Sequence, residues 1–296
     1  MSKYVLAISG GIDSTTLLWL TATSTEFRKA NFPGAVWPED FVVATFDHGI
    51  RGGASRKDAE FVCRLARKYG VGYCKDEGHL PADCSEELAR EKRHDFLRAV
   101  ADELGKDAKI VTAHHADDLL ETAVMNLIRG TGWRGLAPMY NQRIVRPLLR
   151  YTKADLARLA IENNLTWVED QTNYQPRYFS NRVRSVLNSV SAKDKRQLLK
   201  IIHEQLKLRP QIEEEITKLK SNLCYGPNTI CRYYLIMLPE SVTLELLRAM
   251  TNSQLTRPQL MQLLLFAKVA KPHKRMLWKT VTARVNKRYL YIMIAN

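Results

Sequence analysis

Acidic side chains stop at Glu245, and the 51 residues that follow contain none. The 296-residue chain is lopsided as a result. Residues 1–185 carry 26 Lys and Arg against 24 Asp and Glu, whereas residues 186–296 carry 19 against 7. A net +12 half joined to a net +2 half fits a polyanionic partner, nucleic acid above all, better than a merely solvated face. Cysteine is sparse: Cys63, Cys74, Cys84, Cys224 and Cys231 form no CxxC pair and no zinc-ligand spacing, which excludes a disulfide scaffold and a zinc module. No apolar run reaches bilayer length, Leu260–Val269 included, so no membrane partner is expected. The first apolar run is only strand-length, so no signal peptide is expected, and the reading is of a reduced, cytoplasmic protein. GxxxxGK[ST] and HExxH are missing and no GxGxxG follows a strand, which argues against a Walker-type NTPase, a zinc protease and a dinucleotide fold.

What is present begins at Tyr4. The run Tyr4–Ile8 reads as a short buried strand, Thr15–Leu20 opens a helix, and Ser9-Gly10-Gly11-Ile12-Asp13-Ser14 joins them. Adjacent glycines let the backbone come close to a ligand, and the unpaired N–H groups of the following helix seat phosphate. Ser9 and Ser14 add hydroxyl donors, and Asp13 can hold a cation that neutralises phosphate. A plain tight turn is the blander alternative.

Further strands are expected at Phe41–Phe46, Val71–Cys74, Lys109–Ala113 and Ile144–Leu149. Helices are expected from Ser55 to Tyr69, Ser85 to Leu104, Ala116 to Ile128 and Thr152 to Asn163. This alternation predicts an α/β fold with a parallel sheet, its ligands gathered at the carboxyl ends of the strands. Residues 1–190 are assigned to that domain and 191–224 to a helical connector. Residues 225–296 are assigned to a smaller, mostly helical, basic domain closing in a hairpin, Thr280–Val285 with Tyr289–Ile294.

Three clusters carry candidate chemistry. Asp47-His48-Gly49-Ile50-Arg51 ends the second strand, and His48 there is either a turn histidine or a nucleotide contact. Arg90, Arg93 and His94 share a helix face that is either solvated or meets phosphate. In Thr112–Thr122, His114 and His115 adjoin Asp117, Asp118 and Glu121; Asp118 and Glu121, one turn apart, offer two carboxylates to a magnesium ion or an ammonium. Acids placed for the helix dipole would explain Asp117 and Asp118 but not Glu121.

SGGIDS resembles the SGGxDS signature of the PP-loop ATP pyrophosphatases. With DHGIR (47–51), AREKRHDF (89–96), AHHADDLLET (113–122), RGTGWRGLAPM (129–139), RPLL (146–149), WVEDQTN and FSNRVR (167–184), the chain resembles the bacterial tRNA isoleucine lysidine synthetases. That resemblance, over residues 3–187, implies a PP-loop domain that uses ATP with Mg2+ to join lysine to the wobble cytidine of an isoleucine tRNA with a CAU anticodon. It implies that Ser9, Gly10, Gly11, Ile12, Asp13, Ser14 and His48 hold the nucleotide, with Asp13 at the metal. It further implies that Arg90, Arg93 and His114 stabilise charge, and that Asp118 and Glu121 grip the lysine amine. Where that family has Arg-Asn, this chain has Ser180-Asn181, leaving Arg177 or Arg182 to supply the cation. A base thiolase of the same superfamily, a non-catalytic tRNA-binding protein, and a homodimeric assembly stay open.

Overall fold

The computed structural model describes residues 2–47, 49, 53–78, 81, 84–168, 179–226 and 228–295. The chain divides into two compact units: Met1–Gly130 with Gly135–Ile202, and Thr131–Arg134 with His203–Asn296.

The first unit is built on five parallel strands: β1 (Tyr4–Ala7), β2 (Phe41–Asp47), β3 (Gly72–Glu77), β4 (Lys109–Val111) and β5 (Ile144–Val145). Their order is β3-β2-β1-β4-β5. The chain steps outward from β1 to β2 and β3, then returns to pair β4 on the other side of β1, with Tyr4 opposite Lys109. The crevice where strand order reverses therefore opens at the ends of β1 and β4, the usual seat for a ligand in such sheets. Alternation divides the strand side chains between two cores. Tyr4, Leu6 and Ile8 pack with Leu17 and Leu18 of α1 (Ile12–Thr23), Val62 of α3 (Gly53–Lys68) and Leu156 of α7 (Lys153–Glu162). Val5 and Ala44 pack on the opposite face with Leu97 and Ala101 of α4 (Glu86–Leu104). The helix α5 (Ala116–Ile128) follows β4, and α8 (Phe179–Ser189) packs beside it. Both α4 and α7 begin where capping chemistry predicts. Ser85 accepts from the Leu88 N–H, and Thr152 and Asp155 cap one another's backbone.

The second unit is mostly helical, as expected, and adds a small antiparallel sheet. The expected hairpin is there, as β8 (Val281–Val285) and β9 (Tyr289–Ile294). It is the centre of a four-stranded antiparallel sheet with β6 (Thr229–Cys231) and β7 (Arg275–Leu277) at its edges, ordered β6-β9-β8-β7. Helices α10 (Arg232–Met237), α11 (Glu240–Met250) and α12 (Arg257–Val269) share one core with Ile230, Val281, Ala283, Val285, Leu290 and Ile292. Within this unit Arg134 pairs with Glu213 at 2.7 Å and Glu245 at 2.8 Å, and the Trp133 indole N–H donates to Glu245. Among the described residues no helix is long and apolar enough to cross a membrane.

Candidate functional site

The SGGIDS segment turns out of β1 into α1 as a tight, self-bonded loop. Gly10 takes φ +88°, which an L side chain avoids, and its carbonyl accepts from the Thr15 hydroxyl and from the Val168 N–H. Gly11 is the N-cap of α1 and supplies no side-chain cap to the first N–H groups of the helix. The Ser9 N–H donates to Ser14 Oγ, and Ser14's hydroxyl donates to the Gly11 carbonyl.

Beside this loop lies a cavity of about 410 Å³ at the carboxyl ends of β1, β2 and β4. Ser9, Gly11, Asp13, Ser14, Arg93, His114 and Asp118 line it together with Asp47, Asp58, His94 and Thr112. Motifs roughly a hundred residues apart in sequence thus face one volume. Gly10 and Ile12 belong to the loop, and Arg90 lies close enough to depress the basicity of His114. His48 falls outside the described residues, as does the side chain of Ser180.

The acids have partners that sequence spacing did not reveal. Both oxygens of Asp13 accept from Lys153 Nζ at 2.7 Å. Asp117 Oδ2 accepts the Lys153 backbone N–H at the start of α7, and Asp118 Oδ2 accepts the His115 N–H at the start of α5. Dipole and capping roles are therefore real for Asp117 and Asp118, alongside whatever else they do. Glu121 is gripped by Arg184 of α8 through two bonds of 2.6 and 2.9 Å. Burial raises the Asp118 carboxyl above the ordinary range, against the lowering pull of His115. Among the described residues buried His115 has no hydrogen-bond partner at Nδ1, though Asp117 Oδ2 lies 3.6 Å away.

Cations crowd the other wall. His114 Nδ1 is bonded to Thr112 Oγ1 at 2.8 Å, and burial, then Arg146, Arg90 and Arg93, push the imidazole down to about 3. Arg146 itself is lowered to about 10 by burial and by Arg90. Its Nη1 donates to the Met139 carbonyl, while its buried Nε has no hydrogen-bond partner among the described residues. Arg146, Lys153 and His115 were not assigned roles from the sequence. Arg146 stood in plain view within RPLL, but nothing in spacing ties it to His114.

The neutral His114 has a consequence for acid stability. Between about pH 6.5 and 3 the unfolded chain binds a proton there that the folded chain refuses, so stability falls as pH falls through that window. The slope is bounded at about 1.4 kcal/mol per pH unit. Asp118, with its raised carboxyl, works in the opposite sense just above the ordinary carboxylate range. Melting temperatures recorded from pH 7 to pH 4 should decline less steeply for His114→Gln than for the wild type. Parallel curves would show that His114 protonates freely when folded.

A family model for the PP-loop domain matches residues 1–191. A protein of Thermotoga maritima named tRNA(Ile)-lysidine synthase is 35% identical over 225 residues, covering 73% of this chain and 48% of that protein. One of the same name from Novosphingobium aromaticivorans is 38% identical over 200 residues, covering 64% and 57%. The chain spans about half the length of these relatives. Among solved structures, the U34-tRNA thiolase NcsA from Methanococcus maripaludis with its [4Fe-4S] cluster is similar at TM-score 0.55 and 19% identity, over 70% of this chain and 72% of that one. That likeness speaks to the fold.

Proposed function

Because the chain belongs to the PP-loop family, we propose that its first unit activates a tRNA base with ATP and ligates lysine to it, converting the wobble cytidine of a CAU-anticodon isoleucine tRNA to lysidine. The observation that carries this reading is that Ser9, Gly11, Asp13 and Ser14 line one cavity with Arg93, His94, His114 and Asp118. The relatives' names supply the substrates.

In the proposed chemistry the cytosine carbonyl oxygen attacks the α-phosphate and pyrophosphate leaves. The lysine ε-amine then attacks the activated ring carbon, and AMP carries off the oxygen. Ser9, Gly10, Gly11, Ile12 and Ser14 cradle the phosphates, helped by the uncapped N-terminus of α1. Charge developing at the α-phosphate falls to Arg90 and Arg93, with Arg146 adjoining. His114 is neutral in this setting. In the tautomer where Nδ1 accepts from the Thr112 hydroxyl, the proton on Nε2 would serve as a hydrogen-bond donor rather than a charge.

A magnesium ion would neutralise the phosphates. Among the described residues no three His, Cys, Asp or Glu side chains cluster to hold a metal. Magnesium commonly takes one carboxylate and completes its shell with phosphates and water. Asp13 would be that carboxylate, and Lys153 would share or release it. Asp118 and Glu121 receive the amine. Burial makes Asp118 a better proton acceptor than an ordinary aspartate, and Glu121 must exchange Arg184 for the ammonium. The basic remainder, residues 225–296 with the helical connector 191–224, holds the tRNA.

The test is to incubate the protein with ATP, Mg2+, radiolabelled lysine and isoleucine tRNA, omitting one component at a time. Label should enter the tRNA only in the complete mixture. Sulfur uptake from a sulfide donor with no lysine uptake would assign a thiolase instead, and tRNA binding without ATP consumption would assign a non-catalytic binder.

A further inference from the structure

Among the described residues of the second unit, the helices share a core with one face of its four-stranded sheet. Alternation along β8 and β9 sends Val281, Ala283, Val285, Leu290 and Ile292 into the core and turns the intervening residues outward. The register lines those outward residues into a row across the sheet: Thr229 opposite Tyr291, Tyr291 opposite Arg284, Arg284 opposite Arg275. Tyr289 is two residues before Tyr291 on the same side, their ring centroids 6.3 Å apart. Tyr225 meets Tyr289 edge-on at 5.3 Å and is 59% exposed. Arg275 and Arg284 are exposed, and neither has an acidic side chain within ion-pair distance among the described residues.

A sheet face that pairs half-buried tyrosine rings with exposed guanidinium groups has one well-matched occupant. Every unpaired base offers a flat face to an aromatic ring, and the phosphates beside it are drawn to arginine. A duplex hides its base faces and would use only the charge. A protein partner would need acidic complementarity to the arginines and would leave the aligned rings without a purpose. The charge around the row favours nucleic acid further. Lys287 and Arg288 sit in the turn between β8 and β9, and the Lys274 carbonyl accepts the Val285 N–H at the same end of the sheet. No acid follows Glu245 in sequence. Arg232 is excluded from this role, because its guanidinium is spent on the carbonyls of Ala267, Lys268, Ala270 and Asn286 and holds the end of α12.

We propose that the outer face of this sheet is a platform for unpaired nucleotides, with Tyr289 and Tyr291 stacking bases and Arg275 and Arg284 holding the adjoining phosphates. The proposal rests on the reading of the protein as one that acts on tRNA, and it names where single-stranded RNA is held.

The full chain is titrated with a fluorescent 12-nucleotide single-stranded RNA and with a blunt 12-base-pair RNA duplex across a salt series. Replacing both rings, Tyr289→Ala with Tyr291→Ala, should weaken single-strand binding by about tenfold or more while leaving the salt slope and the duplex affinity in place. Tyr289→Phe with Tyr291→Phe should bind within about twofold of wild type, since stacking needs the ring. The phenylalanine pair also lacks the hydroxyl that Asn286 bonds, so it separates stacking from turn order. Arg275→Gln with Arg284→Gln should lower the logarithmic salt slope by about 1.4, two single-strand phosphate contacts. Melting curves identify any variant that fails to fold. Wild-type affinity in the folded alanine pair, or equal losses on single strand and duplex, would overturn the platform. Absence of lysine transfer by the wild type would instead overturn the assigned reaction and leave the binding result standing.

Discussion

Asp13→Ala should abolish lysine transfer, by about a thousandfold or more, and leave the melting temperature nearly unchanged. The two halves of that expectation have separate causes. Asp13 is 28% exposed and its partner Lys153 is 50% exposed, so removing the carboxylate frees an ammonium that water solvates at once. Ion pairs of this kind contribute on the order of 1 kcal/mol or less. Catalysis is another matter, because Asp13 is the acid of the glycine loop and lines the cavity. On the proposed reading, its loss would take an anchor from the triphosphate and its cation and would leave Lys153 facing the phosphates unchecked. Single-turnover labelling of the tRNA, with melting curves beside it, reads both quantities. Undiminished transfer would remove the phosphate loop from the mechanism.

The second large effect divides two neighbouring glycines. Gly10→Ala should damage the fold, whereas Gly11→Ala should spare the fold and damage nucleotide binding. At Gly10 the backbone is left-handed, and an added Cβ would lie 3.4 Å from both Phe61 Cδ1 and Val62 Cγ2. The conformation alone costs about 1–2 kcal/mol, and crowding against two core side chains adds to it. Relaxation would drag the Gly10 carbonyl from Thr15 and Val168, disordering the loop as it destabilises the domain. Gly11 has ordinary extended geometry, and its Cβ would approach only Ser9 Oγ, at 3.7 Å. An alanine there fits the empty protein and would project where the phosphates approach the N-terminus of α1. Calorimetric ATP titration should show a fall of at least about tenfold for Gly11→Ala at unchanged Tm, on the scale of one lost phosphate contact or clash. Full ATP affinity in Gly11→Ala would mean that the nucleotide does not approach that backbone.

Local chemistry made much of this architecture readable before the structure. The helix Ala116–Ile128 was legible to the residue because a buried strand stops, acids begin, and an apolar stripe runs three turns. Thr152 with Asp155 marked α7 for the same reason, and the period-two runs at the carboxyl end gave β8 and β9. Where reading faltered, tertiary context had overruled the pattern. The third strand extends through Lys75, Asp76 and Glu77, an exposed edge whose polarity reads as loop. The fifth stops at Val145, just before Arg146-Pro147, although the apolar letters continue to Leu149. Three-residue β6 and β7 are shorter than any periodicity can register. A single helix, α9 (Ala192–Leu223), carries Pro210 in its interior, where sequence allowed one helix or two. At the site, the glycine loop and the acid cluster announced themselves, each being contiguous. Lys153 was invisible because it reaches Asp13 across 140 positions of chain, and only the fold brings them together.

The segment Thr131–Arg134 is a borrowed stitch. Its covalent neighbours on both sides belong to the first unit, yet its own side chains are satisfied by Glu213 and Glu245 of the second. The polypeptide therefore changes unit three times rather than once. A chain severed after Ile202 would keep Trp133 and Arg134 but strand them, one aromatic ring and one guanidinium with their acids gone. The basic portion cannot be lifted off this protein as a cassette, and a graft between relatives would have to exchange four residues from the middle of the sequence along with the tail.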